Sequence, residues 1–237
     1  MEQKALAMVY DTRGEFSNPT PGEKIAMIVG TTLDSHPGEK RVALIPAAVP
    51  ALTKLGLQVA IERGAGQLAG FPDSAYEEQG ASVVADKADL YSKAGILLRL
   101  RGLAADSQDL QLLHSHQVVI GLMDPFGSGQ TLKKLAEKDV SAFALELLPR
   151  ISRAQSMDAL SSMATISGYK AVLLAADALP KMFPLLMTAA GTISPARAFV
   201  IGAGVAGLQA IATARRLGAV VHSYDVRPAV KEQVESL

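Results

Sequence analysis

The stretch "RAFVIGAGVAGLQAIATARRLGAVVHSYD" (residues 197–225) decides the fold of this chain. An apolar run suited to a β-strand leads into three glycines, Gly202, Gly204 and Gly207, spaced as G-x-G-x-x-G. A helical segment ending in "RRLG", a second apolar run, "AVVHSY", and then Asp225 follow. Strand, glycine turn, helix, strand and acid in this order form the dinucleotide-binding fingerprint of a parallel α/β sheet.

Each glycine of this turn has its own physical task. Gly202 allows the tight turn, Gly204 lets the backbone approach a pyrophosphate, and Gly207 lets the helix pack closely on the strand. The pyrophosphate would lie at the positive end of the helix, where free N–H groups point outward. The predicted cofactor-binding residues of the turn are therefore Gly202, Ala203, Gly204, Val205, Ala206 and Gly207.

Asp225 indicates which dinucleotide the unit prefers. It follows the second strand, where a carboxylate can accept hydrogen bonds from the adenosine ribose. A 2′-phosphate would meet like charge there, which favours NAD(H) over NADP(H), although Arg227 weakens this exclusion. We include Asp225, Val226 and Arg227 in the predicted cofactor site.

The region before this unit alternates strand-like and helix-like segments. Continuous apolar runs separated by amphipathic segments predict a mainly parallel sheet with helices on both faces. The strand-like runs are 24–29, 57–62, 95–100, 117–123 and 140–147. The expected fold class is thus α/β with two doubly wound parallel-sheet domains. We predict a disordered N-terminal tail (1–24), an N-terminal α/β domain (25–160) and the first portion of a Rossmann NAD(H)-binding domain (161–237).

The passage "PRISRAQSMD" (149–158) joins the two predicted domains and has two possible interpretations. A solvated surface linker tolerates its mixture of arginine, glutamine, serine and aspartate, but so does a loop shaped to hold a polar ligand. A long helical segment follows, from about Asp158 to Leu179. If that helix begins near Ser156, Gln155 and Asp158 flank its first turn.

Composition excludes several other classes of function. The 237 residues contain 23 Lys+Arg and 23 Asp+Glu, so net charge does not favour nucleic acid or an anionic membrane surface as a partner. There is no cysteine, and His114 and His116 are not spaced for one helical face, so we expect no metal site. The N-terminal segment lacks a signal-peptide core, and we interpret the chain as soluble.

Beyond the glycine unit, the sequence resembles a known family. The segments "RVALIP", "ERGAG", "PRISRAQSMDALSSMATISGYKAV", "TAAGT" and "GAGVAGLQAIATARRLGAVVHSYDVR" are similar to the NAD(H)-binding domain in the α subunit of proton-translocating nicotinamide nucleotide transhydrogenases. The resemblance runs from about residue 39 to the last residue. Its most specific portion is the 149–158 passage, since the glycine fingerprint is shared by many dehydrogenases.

The resemblance implies that this passage is a ligand loop. In that family the matching loop projects over the nicotinamide, so Arg150, Gln155 and Asp158 would position the nicotinamide and its ribose, with Ser161 and Tyr169 lining the same site. Hydride transfer requires two correctly placed rings rather than a general acid or base, so these positioning groups would make the catalytic contribution.

The resemblance also implies partners and a location. NADP(H) would be bound by a separate domain or subunit, membrane-spanning parts would translocate the proton, and we expect a homodimer. The chain would lie on the cytoplasmic face of a bacterial inner membrane or, alternatively, on the mitochondrial matrix face. Because the Rossmann domain is incomplete in this sequence, we expect a fragment of a longer polypeptide that is inactive alone.

Two alternatives remain at this stage. An alanine-dehydrogenase-like oxidoreductase would carry a substrate-binding lysine in the strand matching "GILLRL", where this chain has Arg99 and Arg101, and a histidine after "QVVIGLM", where it has "DP". The second alternative is a non-catalytic NAD(H)-binding assembly module.

The segment "VGTTLDSHPGEKR" departs from the transhydrogenase pattern, in which a Lys-Glu pair follows the first strand.

Overall fold

The computed structural model describes residues 9–10, 16–17, 27–34, 36–104 and 107–237. The chain divides into two compact units, Met1–Leu147 and Leu148–Leu237. The "PRISRAQSMD" passage therefore groups with the second unit, whereas the predicted domain boundary at 160/161 falls in the first turn of a helix. The predicted tail over 1–24 lies mostly outside the described residues; within it, strands β1 (Val9–Tyr10) and β2 (Phe16–Ser17) pair antiparallel.

The first unit contains a six-stranded sheet in which all neighbouring strands are parallel. Its strands are β3 (Ile28–Thr31), β4 (Gln58–Glu62), β5 (Ser82–Val84), β6 (Ile96–Arg101), β7 (Val118–Leu122) and β8 (Ser141–Ala144). Their order is β5-β4-β3-β6-β7-β8, so the direction of winding reverses between β3 and β6. The predicted parallel sheet is confirmed, and β5, with three residues, is the strand that sequence periodicity missed.

Short helices connect these strands. They are α1 (Val49–Thr53), α2 (Asp73–Glu77), α3 (Lys87–Lys93), α4 (Gln108–Gln111) and α5 (Gly129–Glu137), with 3-10 turns at Pro46–Ala48, Gln67–Ala69 and Leu145–Leu147. Neighbouring strand residues pack on opposite faces: Leu97 belongs to one buried cluster with Val119, and Leu98 packs on the other with Ile61. Both faces of the sheet are therefore covered, as a parallel sheet requires.

A buried ionic network lies where β6 ends. Arg99, buried, donates from Nη1 to Asp109 Oδ2 at 2.9 Å and to the Tyr91 hydroxyl at 2.6 Å. Lys87 Nζ also contacts Asp109, at 3.2 Å. Burial raises the pKa of Tyr91 to about 12, so its hydroxyl remains protonated. The Arg99 guanidinium is thus paired within the protein rather than presented to solvent.

The second unit is built around one long helix and a parallel strand pair. Its elements are the 3-10 helix Ser152–Met157, α6 (Ala159–Ala178), β9 (Leu186–Thr188), β10 (Gly191–Ile193), β11 (Arg197–Ile201), α7 (Val205–Arg216), β12 (Val220–Tyr224), the 3-10 turn Pro228–Val230 and α8 (Lys231–Glu235). β11 and β12 are parallel, as the fingerprint predicts. β9 and β10 form an antiparallel hairpin.

Helix α6 is, within the described residues, the helix that has the length and mean hydropathy (1.2) to cross a membrane. Length and composition are weak evidence for a membrane span, because core helices of soluble proteins have the same properties. In this structure α6 packs against α7, with Gly168 of α6 buried against the backbone of Ala206.

The contact at Gly168 makes a prediction about stability. A Cβ at this position would overlap the carbonyl oxygen of Ala206. We expect Gly168→Ala to lower the free energy of unfolding by about 1–3 kcal/mol, because the cost of overpacking exceeds the gain in helix propensity. Gly129→Ala is the matched control, since a Cβ there meets nothing within 4 Å. Denaturant titration of both variants checks this, and equal stabilities would contradict a close α6–α7 approach.

Candidate functional site

The three glycines of the turn between β11 and α7 meet different local requirements. Gly202 has φ +90°, a conformation that side chains rarely adopt. A Cβ on Gly207 would overlap the carbonyl oxygen of Gly202, so Gly207 is needed for packing. Gly204, however, has an ordinary extended conformation as the N-cap of α7, and a Cβ there would meet only Arg227 Nη2, at 4.0 Å. Among the residues that the structure describes, none would clash with a side chain at position 204, so packing does not require glycine there.

Asp225 lies directly beside this turn. Its Oδ2 accepts from the backbone N–H of Ala203 at 2.7 Å, and its Oδ1 from the backbone N–H of Arg227 at 2.8 Å. The Arg227 guanidinium completes the arrangement, donating from Nε to Oδ1 at 3.0 Å and from Nη2 to Oδ2 at 2.9 Å. The Arg227 guanidinium and these N–H groups hold the pKa of Asp225 well below its usual range, so the carboxylate is ionised.

Residues of the "PRISRAQSMD" passage line a cavity of about 240 Å3 that is open to solvent. Its lining consists of Pro149, Arg150, Ile151, Ser152, Ala154, Gln155 and Asp158. The three residues predicted to position the nicotinamide, Arg150, Gln155 and Asp158, are therefore together around one cavity. Ala154 is the buried anchor of the passage, and the residues on either side of it are exposed.

Asp158 has a second task that sequence reasoning did not assign. Its Oδ1 accepts from the backbone N–H of Ser161 at 2.9 Å and its Oδ2 from the Ser161 hydroxyl at 2.6 Å, which makes it the N-cap of α6. These hydrogen bonds from Ser161 lower the pKa of Asp158. The predicted helical segment from about Asp158 to Leu179 is confirmed, since α6 has its N-cap at Asp158 and its C-cap at Leu179. The condition that this helix begins near Ser156 is not met, because residues 152–157 form a 3-10 helix.

The remaining predicted site residues lie either near the cavity of the 149–158 passage or near the glycine turn between β11 and α7. Ser161 donates to Asp158 but does not itself line the cavity. Tyr169, half-exposed on α6, is not a lining residue either. Val205 and Val226 are exposed beside the glycine turn, and Ala203 is buried beneath it. Helix α6 connects the two places, since its N-terminus is capped by Asp158 and its middle packs on α7 at Gly168.

Sequence reasoning missed a charged cluster at the carboxyl edge of the first unit's sheet. The Glu39 carboxylate, 6% exposed, accepts from Arg41 Nε at 2.8 Å and from Arg101 Nε at 3.3 Å. The Arg41 guanidinium lowers the pKa of Glu39 to about 2. The cluster lies beside the switch point between β3 and β6, where ligands bind in open α/β sheets. Only the strand order reveals this position, so no local pattern could have found it.

Comparison with known families identifies both units. Residues 32–167 match the family described as "Alanine dehydrogenase/PNT, N-terminal domain", and residues 171–237 match its C-terminal domain. The chain belongs to the alanine dehydrogenase/PNT family. Within this family, the predicted resemblance to transhydrogenase α subunits is confirmed by the relatives that the chain matches.

The relatives named as transhydrogenases are more similar to the chain than an alanine dehydrogenase is. An NAD(P) transhydrogenase alpha subunit of Cereibacter sphaeroides is 43% identical, over 89% of this chain and 40% of the relative. The crystal structure of transhydrogenase from Sinorhizobium meliloti has a TM-score of 0.84 and 49% identity, over 88% of this chain and 62% of that one. Alanine dehydrogenase of Halomonas elongata is 30% identical, over 79% and 50%. The chain thus spans less than two thirds of the length of each of these relatives.

Proposed function

We propose that this chain is the NAD(H)-binding component of a proton-translocating transhydrogenase. In this role it binds NADH and donates its hydride to NADP⁺ held by another domain or subunit. The observation that carries the proposal is the open position at Gly204, at the start of α7 and beside the ionised Asp225. A glycine without a steric purpose in the protein itself fits a turn that a pyrophosphate approaches.

The residues of the turn fit a dinucleotide. The backbone N–H groups at the start of α7 face the position of a pyrophosphate, and the positive helix end favours its charge. Asp225, oriented by the Ala203 N–H, is the acceptor for ribose hydroxyls. The same negative charge disfavours a 2′-phosphate, which supports NAD(H) rather than NADP(H) as the resident nucleotide.

The cavity of the "PRISRAQSMD" passage would hold the nicotinamide end. Arg150 and Gln155 line it, and neither side chain has a described hydrogen-bond partner in the protein, so the guanidinium and the amide are available to a polar ligand. Asp158 is held by Ser161, which restricts its orientation. When bound, NADH supplies the hydride; the role of these side chains is to fix the position of the ring and to replace water around it.

The other members of the assembly follow from the same proposal. An NADP(H)-binding component accepts the hydride, and membrane-spanning components couple the transfer to proton translocation. The chain would function as a homodimer on the cytoplasmic face of a bacterial inner membrane, or on the mitochondrial matrix face. Balanced charge gives no electrostatic reason to propose a nucleic acid as a partner.

Alanine dehydrogenase activity is the second candidate, favoured by the family shared with this chain. In such an enzyme the strand matching β6 would present a lysine to the substrate. The structure has Arg99 there, buried and committed to Asp109 and Tyr91. Releasing it would leave buried charge unpaired, which is costly, so an amino-acid substrate is disfavoured.

Steady-state hydride transfer tests the proposal. The full-length subunit that contains this chain, combined with an NADP(H)-binding transhydrogenase partner, should transfer hydride from NADH to an NADP⁺ analogue. Oxidation of alanine with NAD⁺ instead would support the second candidate. NADH binding without either reaction would support a non-catalytic assembly module.

The role of the passage 149–158 is tested by Gln155→Asn. Because this change shortens the side chain by one methylene and keeps the amide, we expect the transfer rate of the full enzyme to fall by more than about tenfold while NADH affinity changes much less. Stopped-flow transfer, with binding measured separately, is the assay, and Gln111→Asn in α4 is the matched control. Equal losses of rate and affinity would indicate a general binding element; no loss in either would make the passage a linker.

A further inference from the structure

The Asp225 carboxylate has no free acceptor position in this structure. An ionised carboxylate offers about four lone-pair sites, and four N–H groups of Ala203 and Arg227 point at the two oxygens. Its side chain is only 8% exposed. A ribose therefore cannot bind Asp225 until one or more of these donors leaves.

The four donors differ in how easily they can leave. The N–H groups of Ala203 and Arg227 belong to the backbone of the glycine turn and of the loop after β12, so they are fixed by the fold. The guanidinium lies at the end of a flexible side chain that is 58% exposed. Because the guanidinium is exposed and the two backbone N–H groups stay on the carboxylate, rotation of this side chain into solvent costs less than breaking a fully buried ion pair.

Rotation of the guanidinium would free two acceptor sites, one on each oxygen. Nε occupies Oδ1 and Nη2 occupies Oδ2, so the two vacated sites lie side by side on the two oxygens. The 2′- and 3′-hydroxyls of a ribose are also two adjacent donors. The two backbone N–H groups would keep the carboxylate in the same orientation throughout.

We propose that the Arg227 side chain is an internal competitor for the ribose site, which the ribose diol must displace from Asp225. This inference rests on the proposed NAD(H) function, because it assumes that Asp225 is the ribose acceptor. Binding then exchanges the two guanidinium donors for the two ribose hydroxyls, so Arg227 lowers the affinity of the site for the diol. Removing the guanidinium leaves both acceptor sites free before the ribose binds.

Adenosine is the probe that isolates this exchange, because it has the diol and no charge. In Arg227→Ala, which keeps the backbone N–H, adenosine affinity should rise about two- to fivefold, the range for an exposed ion pair. In the parent protein, raising the salt from about 0.05 to 0.5 M should raise adenosine affinity, because salt screens the exposed pair. That salt effect should disappear in Arg227→Ala. Ligand-observed NMR titration measures all of these affinities.

Two controls separate the exchange from other effects of the substitution. 2′,3′-Dideoxyadenosine does not need to displace the guanidinium, so its affinity should be the same in both proteins. Arg197→Ala removes the same charge from the start of β11, at the opposite end of the strand pair, and should leave adenosine affinity unchanged. Arg227→Lys keeps the positive charge but cannot make the bidentate contact to both carboxylate oxygens, so its adenosine affinity should be intermediate.

The outcomes distinguish this inference from the proposed function. Unchanged or weaker adenosine binding in Arg227→Ala, or an equal gain for the dideoxynucleoside, would overturn the competition while leaving NADH binding intact. All of these titrations use the full-length subunit that contains this chain, with the Rossmann domain complete. If that subunit bound neither NADH nor adenosine, the proposed function would fail and the competition with it.

Discussion

Gly204→Val should lower NADH affinity by at least about a hundredfold, roughly 2.7 kcal/mol, and leave the protein folded. A Cβ at 204 meets no atom of the protein closer than Arg227 Nη2, at 4.0 Å. The added methyl groups would instead occupy the space through which a pyrophosphate reaches the N–H groups at the start of α7. The expected loss is large because the ligand loses these hydrogen bonds and also meets steric overlap. Fluorescence titration of NADH measures it.

The neighbouring glycine provides the contrast. Gly207→Ala introduces a Cβ into the carbonyl oxygen of Gly202, so this variant should lose stability as well as binding. Gly204→Val should lose at most about 1 kcal/mol of unfolding free energy, since valine is a poorer N-cap than glycine. If Gly204→Val bound NADH as the parent does, the turn would not be the pyrophosphate site.

In the complete domain, Asp225→Asn should weaken NADH binding by about 1–3 kcal/mol, roughly five- to 150-fold, the range for loss of charge-assisted hydrogen bonds. The amide has one acceptor oxygen instead of two, so it cannot accept from the Ala203 N–H and from both ribose hydroxyls in the arrangement seen here. Isothermal titration of NADH into parent and variant provides the measurement.

Two further measurements make the Asp225→Asn result specific. Asp89→Asn, an exposed residue of α3 that pairs with Lys93, makes the same change of charge away from the turn and should not alter NADH affinity. The variant's melting temperature shows whether loss of the Ala203 contact has disturbed the turn. Unchanged NADH affinity in a folded Asp225→Asn protein would refute the ribose assignment.

Some features of this protein were determined by the sequence alone because they depend on local spacing. The three glycines, the strands on either side of α7 and the position of Asp225 follow one another within 29 residues (197–225), so no long-range contact is needed to recognise them. The parallel sheet of the first unit was predictable for the same reason, since apolar runs and single helices alternate along the chain. The three-residue strand β5 was too short to give such a signal.

Other features were decided only by the tertiary structure because they join residues far apart in sequence. The strand order brings Glu39 to Arg101, and it buries Arg99 against Asp109, Tyr91 and Thr32. Nothing in "GILLRLR" (95–101) shows that Arg99 is enclosed while Arg101 is exposed. The cap made by Asp158 depends on where a 3-10 helix ends and α6 begins. The sequence placed Arg227 near Asp225, but only the fold of the loop after β12 puts its guanidinium on both oxygens of that carboxylate, because hydrogen bonding depends on distance and direction rather than on position in the chain.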